Sequence, residues 1–157
     1  MTLKGNSSSG GGFFNGVLDV AGKIWALPNT LVGLAYGGVG YVLGWMMGTN
    51  PSISFANNAI QFENNPLMAT AMTFGNVIVY GRDPVYYQPD SQRGQYWLGY
   101  EEMQHTYQAQ VLGPLYFPAH IVSGLTGLLM NWDWHGSSAF MESSVHWPDS
   151  VDPRPWP

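Results

Sequence analysis

Tyr100-Glu101-Glu102-Met103-Gln104-His105-Thr106-Tyr107-Gln108-Ala109-Gln110 gathers ionisable groups at helical spacing in a chain that otherwise avoids charge. Glu101 and His105 stand four residues apart and share one helix face, while Glu102 is one step round and leans over the same pocket. The helix is predicted to begin near Ser91 to Tyr96, after a polar loop over Gln88 to Gly94, and to stop at Gly113-Pro114. From Gly94 to Trp132 these two glutamates are the only carboxylates, and apolar segments lie on either side. The plain alternative is a solvated helix face that happens to carry two acids and a histidine.

The spacing is one residue away from H-E-x-x-H, in which two histidines bind zinc from successive turns and the glutamate between them activates a water. Here Glu101 stands at the first position, His105 is the second ligand and Glu102 the candidate base. Replacing an imidazole by a carboxylate adds negative charge and a hard oxygen, which is expected to weaken zinc selectivity and make a bound water less acidic. Without metal, clustered carboxylates repel one another and raise at least one carboxyl pKa, and His105 then pairs with one of them.

Working outward, 157 residues are enough for one domain with a sizeable core. Charged residues are 10% and aromatic residues 15% of the chain, so most of it can be buried. A net charge of -5, with five Lys plus Arg, leaves little to neutralise phosphates and argues against a nucleic-acid partner. The absence of cysteine excludes disulfides and thiolate metal sites. Met1 to Gly12 is polar and glycine-rich, lacks the basic-then-apolar pattern of a signal peptide, and is expected to be a flexible leader before a domain over 13–157.

Phe14, Val17, Leu18, Ala21 and Ile24 recur at helical intervals up to a break at Pro28. Between Lys23 and Glu63 there is no Asp, Glu, Lys, Arg or His, and Gly33, Gly37, Gly40, Gly44 and Gly48 fall at spacings of three or four. Leu31 to Met47 is therefore expected to be a buried, glycine-lined helix or helical hairpin, part of it loop, rather than a stable membrane span. Met46 and Met47 are assigned to the core. Ile53 to Phe62, with Asn57-Asn58 at a bend, and Met72 to Tyr80 predict a small antiparallel sheet, followed by a turn at Gly81-Arg82-Asp83-Pro84. Leu115 to Trp132 reads as a second buried helix broken at Pro118. The proline-rich tail, with Trp147 and Trp156 as anchors, reads as an extended strap.

Several separated blocks resemble the zinc-metallopeptidase-like toxin domains at the C-terminal ends of type VI secretion spike proteins and Rhs-type polymorphic toxins. They are Ala26-Leu27-Pro28-Asn29-Thr30-Leu31-Val32-Gly33-Leu34, Asn57-Asn58-Ala59-Ile60-Gln61-Phe62, Thr73-Phe74-Gly75-Asn76-Val77-Ile78, Gln104-His105-Thr106-Tyr107-Gln108 and Leu112-Gly113-Pro114-Leu115-Tyr116, then His135-Gly136, Met141-Glu142 and a Pro-Arg-Pro-Trp ending at Trp156. They run in order over nearly the whole chain past the leader. The resemblance implies an α+β, mostly helical, zincin-like domain with zinc as cofactor. It implies Glu102 as general base, and His105 and Glu142 as metal ligands, with Glu101 in place of the usual first histidine. It also implies an antibacterial effector carried by a secretion spike or Rhs protein, acting on a peptide or cell-wall-associated substrate in the target-cell periplasm and neutralised by an immunity protein.

The remaining polar groups have plainer readings. His120, inside an apolar run, is expected to be a core histidine bonded to a backbone carbonyl, and His146 a packing residue of the tail. His135 is a substrate-side or outer-sphere group, or else a simple surface residue. Tyr107 and Gln108 face either the core or the pocket. Two other functions compete with a metallopeptidase-like hydrolase: a glycan hydrolase using a carboxylate pair, and a non-enzymatic membrane-active domain inserting Leu31 to Met47 with Leu115 to Met130.

Overall fold

The computed structural model describes residues 9–81 and 98–143. The turn after Gly81, the polar loop before the site helix, the start predicted for that helix, the Pro-rich strap and His146 lie outside the described residues. The fold is α+β, with helices α1 (Ser9–Trp25) and α2 (Leu27–Met47), strands β1 (Ser52–Ala56), β2 (Ala59–Glu63), β3 (Ala71–Phe74) and β4 (Val77–Tyr80), then α3 (Leu98–Leu112), α4 (Tyr116–Asn131) and a single turn, α5 (Phe140–Ser143). Helix α1 starts at Ser9, so the boundary expected after Gly12 falls inside a helix.

Pro28 occupies the first turn of α2, where a missing N–H costs nothing, and so separates α1 from α2 without ending helical structure. From there α2 runs unbroken for 21 residues, not as a hairpin and without a loop. Its glycines explain how. Gly33, Gly37, Gly40 and Gly44 all face inward, and a Cβ at Gly33 would stand 2.5 Å from Phe74 Cβ, one at Gly37 2.4 Å from the Phe62 ring. The helix axis therefore lies closer to the sheet than any side chain would permit. Leu34, Tyr36 and Tyr41 flank the glycines and pack on Phe62, Phe74, Val77 and Val79.

The sheet is mixed rather than purely antiparallel, in the order β1-β2-β4-β3. Both hairpins are antiparallel and close through two residues: Asn57-Asn58, both at positive φ as a type I′ turn requires, and Gly75-Asn76, with Gly75 at φ 64°. Between the hairpins β2 and β4 pair in parallel, Gln61 opposite Ile78. Alternation along the strands gives each face its own helix. Val77 and Val79 face α2, whereas Thr73 reaches α3 through a hydrogen bond to Glu102. All four residues of β4 are fully buried in consequence. Asn58 at the hairpin tip donates to Thr106 Oγ1 at 2.9 Å, a second tie to α3.

The helices keep large apolar faces uncovered. Phe14, Val17 and Ile24 of α1, Val32, Val39 and Val42 of α2, and Ile121, Leu125 and Leu129 of α4 are exposed. Met46 and Met47, assigned to the core from the sequence, are 70% and 67% exposed. The glycines, not the large side chains, form the buried side of α2, and this reverses the usual inference from hydrophobicity to burial. By length and composition alone, Leu27–Met47 and Glu101–Asn131 would suffice to cross a membrane.

The glycine face gives a paired expectation. Gly33→Ala forces a methyl into Phe74 and Val77 and should destabilise by about 1–3 kcal/mol. Gly38→Ala, on the open side with nothing within 4 Å, should stabilise by about 0.4–1 kcal/mol through the unfolded chain. Urea or thermal denaturation of the two variants beside the parent checks both signs. Equal shifts would show that α2 does not rest on the sheet through this face.

Candidate metal centre

Helix α3 ends at Gly113, whose positive φ of 56° turns the chain through a short 3-10 segment, Gly113–Leu115, into α4. Trp25 closes over that glycine, and Asn29 Nδ2 donates to its carbonyl at 2.6 Å, fixing the angle between the two helices. Pro118 lies in the first turn of α4 and does not break it. Beyond α4 the chain folds back along the same helix because Gly124 and Gly127 leave room: a Cβ on Gly124 would meet the Trp134 ring at 2.0 Å, and one on Gly127 the Asp133 carbonyl at 2.5 Å. This return places His135, whose N–H donates to Asp133 Oδ1 at 3.1 Å. Two bonds then dock α5: Met141 N–H to Ser123 Oγ at 2.8 Å, and Gln108 Nε2 to the Met141 carbonyl at 2.9 Å.

Those constraints bring Glu142 into a ring of imidazoles. His105 Nε2 lies 3.5 Å and His135 Nδ1 3.3 Å from its Oε2, while His120 Nε2 lies 3.4 Å from its Oε1. The His105 and His120 rings meet edge to face at 5.4 Å. Glu101 joins from α3, and one donor atom each from Glu101, His105 and Glu142 lie within 4.8 Å of one another. All of these residues, with Glu102, Thr73 and Tyr116, line a cavity of about 440 Å³.

Gln108 fixes the tautomer of His105. Because its Nε2 is committed to the Met141 carbonyl, its Oε1 must be the atom 2.8 Å from His105 Nδ1, and so Nδ1 carries the hydrogen. Nε2 then carries the proton shared with Glu142, and once that proton is lost the ring offers an Nε2 lone pair to the cavity, as a metal ligand oriented by an outer hydrogen bond must.

Electrostatics separate the two buried glutamates. Burial pushes the Glu102 carboxyl up to about 7, against the pull of His105 and of the Thr73 hydroxyl, which donates at 2.6 Å. Burial also works to raise Glu142, but hydrogen bonds from His105 and His135 hold it well below the usual carboxylate range. Burial alone would lower His105; Glu142, Glu102 and Gln108 outweigh it and raise the ring to about 9. His120 goes the other way, pushed down by burial and by His105, and its buried Nδ1 has no hydrogen-bond partner among the described residues. His135 is raised, chiefly by its bond to Glu142.

The structure thus brings Glu101, Glu102, His105, His135 and Glu142 to one cavity, and Gln108 to the far side of the His105 ring. Tyr107 is half-buried and does not line the cavity. His120, read from the sequence as a core histidine on a backbone carbonyl, instead faces Glu142 and belongs to the site. Thr73 was also missed, and both omissions have one cause: each faces the site across a contact far from it in sequence. The scarcity of histidine was a usable signal, since three of the four in the chain contact one carboxylate.

A divalent ion with ligands at about 2.0–2.2 Å in tetrahedral geometry needs donor atoms roughly 3.3–3.6 Å apart. The 3.5 Å between His105 Nε2 and Glu142 Oε2 meets that spacing, and Glu101 needs only a side-chain adjustment to reach it. The residues present fit a metal ion that accepts nitrogen and oxygen donors. Comparison with protein-family models, with curated proteins and with solved structures gives no match to this chain.

Proposed function

We propose that this domain is a metal-dependent hydrolase, with Glu101, His105 and Glu142 as ligands of a divalent ion, zinc first, and Glu102 as the general base. The observation that supports it is the convergence within 4.8 Å of donors from α3 and α5 in a cavity that Glu102 also lines. The ion would supply a Lewis acid that polarises a scissile carbonyl and acidifies a water. Glu102, near 7, is matched to accept a proton from that water at neutral pH and return it to the leaving group. Thr73 restricts the Glu102 carboxylate to one orientation, and Gln108 keeps His105 in the tautomer that can ligate. A peptide or cell-wall-associated substrate, delivery by a secretion spike or Rhs carrier, action in a target-cell periplasm and an immunity partner rest on the resemblance of the sequence blocks to toxin domains.

The uncovered apolar faces of α1, α2 and α4 favour a second, non-enzymatic reading, a membrane-active domain. The two differ in their dependence on Glu102. Under the hydrolase reading Glu102→Gln keeps the metal and loses toxicity on periplasmic expression, with kcat down by about 10²–10⁴ if a substrate is in hand. Unchanged toxicity, together with leakage of lipid vesicles, would favour the membrane reading.

Two further outcomes concern the metal itself. Zinc must displace the proton that His105, raised to about 9 by Glu142, Glu102 and Gln108, retains at neutral pH, so apparent affinity should rise about tenfold per pH unit from pH 6 to 9 and level off above it. Calorimetry in buffers of different ionisation enthalpy should show about one proton released per zinc at pH 7. Glu101→His supplies a neutral imidazole in place of a carboxylate and should tighten zinc by at least about tenfold, with a gain in hydrolysis that still requires Glu102. A pH-independent affinity would show that His105 is not a ligand.

A further inference from the structure

We propose that His135 supplies a second imidazole to this centre, its Nδ1 joining His105 Nε2 and the shared oxygen Glu142 Oε2 around one ion, in compensation for the carboxylate at position 101. The proposal rests on the metal reading above and specifies its ligand set.

The geometry distinguishes His135 from His120. His135 Nδ1 and His105 Nε2 approach the same carboxylate oxygen, at 3.3 and 3.5 Å. Both separations equal the ligand-to-ligand spacing, roughly 3.3–3.6 Å, of a tetrahedral ion bound at about 2.0–2.2 Å. An ion on Oε2 would have His105 Nε2 beside it, with His135 swinging inward from the cavity mouth to complete the set. His120 approaches the other oxygen, Oε1, at 3.4 Å. His120 thus lies against the oxygen that His105 and His135 do not approach, and acts as a positioning residue rather than a ligand.

The chain is built to present His135 in this way. Its turn is pressed onto α4 through Gly124 and Gly127, and its backbone is held by Asp133. The ring is 68% exposed at the cavity mouth, so it has room to swing inward onto an ion bound at Glu142 Oε2. Two nitrogens with the Glu142 oxygen give the two-histidine, one-carboxylate set common in open zinc sites. Glu101, with a donor atom within 4.8 Å of those of His105 and Glu142, would be a fourth donor to such an ion.

Zinc affinity alone does not test this, because losing an outer-sphere partner also costs about 10–100-fold. The deciding measurement is the number of imidazoles on the metal, from X-ray absorption fine structure of the full chain loaded with one equivalent of zinc. The expected count is two in the parent and in His120→Ala, and one in His135→Ala, with affinity in His135→Ala lowered by more than about 100-fold. One imidazole in the parent, or two remaining in His135→Ala, overturns the proposal while leaving the metal reading intact. No zinc bound by the parent overturns both. The absorption spectrum of the cobalt-loaded parent gives an independent check, since a change of donor set in His135→Ala shifts its visible bands, whereas an outer residue leaves them in place.

Discussion

A carboxylate removed from water must be met by donors, and Glu142, 2% exposed, is the group whose burial the C-terminal half is arranged to satisfy. Three histidines from α3, α4 and the following turn answer that need. Each is held in turn: His105 by Gln108, His135 by a turn seated on glycines, and the strand of backbone before Glu142 by Ser123 and Gln108. Removing one partner from such an arrangement leaves charge uncompensated, so its members act as a unit.

Glu102 belongs to a different balance. It lies against the sheet, where Thr73 is its hydrogen-bond donor, and it has no imidazole in ion-pair contact among the described residues. The same helix therefore carries one glutamate whose proton is retained to near neutrality, while α5 presents another whose proton is lost early. Pairs of acids pushed apart in this way are a common feature of sites that move protons. The sheet reaches the site through β3, where Ala71 and Met72 line the cavity and the Thr73 hydroxyl meets Glu102.

Much of this was legible from local pattern. The four-residue interval from Glu101 to His105 set one face of α3, the Asn57-Asn58 pair marked a bend, and the glycine interval in α2 marked a close-packing face. What could not be read locally was what each face meets. The parallel pairing of β2 with β4 depends on where the first hairpin lands against the second, which no alternation within a strand encodes. His120 looked like a core residue because its neighbours are apolar, yet several of those neighbours point outward and the histidine points in. In α2 the inference from apolar to buried failed outright, since glycine took the inner side. The zincin-like reading drew on the order of sequence blocks and stands with the proposed function.

The arrangement of the site along the chain has a kinetic side. Every imidazole and carboxylate that meets at Glu142 lies between positions 101 and 142, on consecutive elements joined by tight turns. Closing those loops costs little chain entropy compared with bringing together strands and helices from the two ends of the domain. Contacts of short sequence separation form early in folding. The half that carries the Glu142 cluster is thus built from contacts local in sequence, whereas the environment of Glu102 depends on the sheet, through Thr73, a partner 29 residues away.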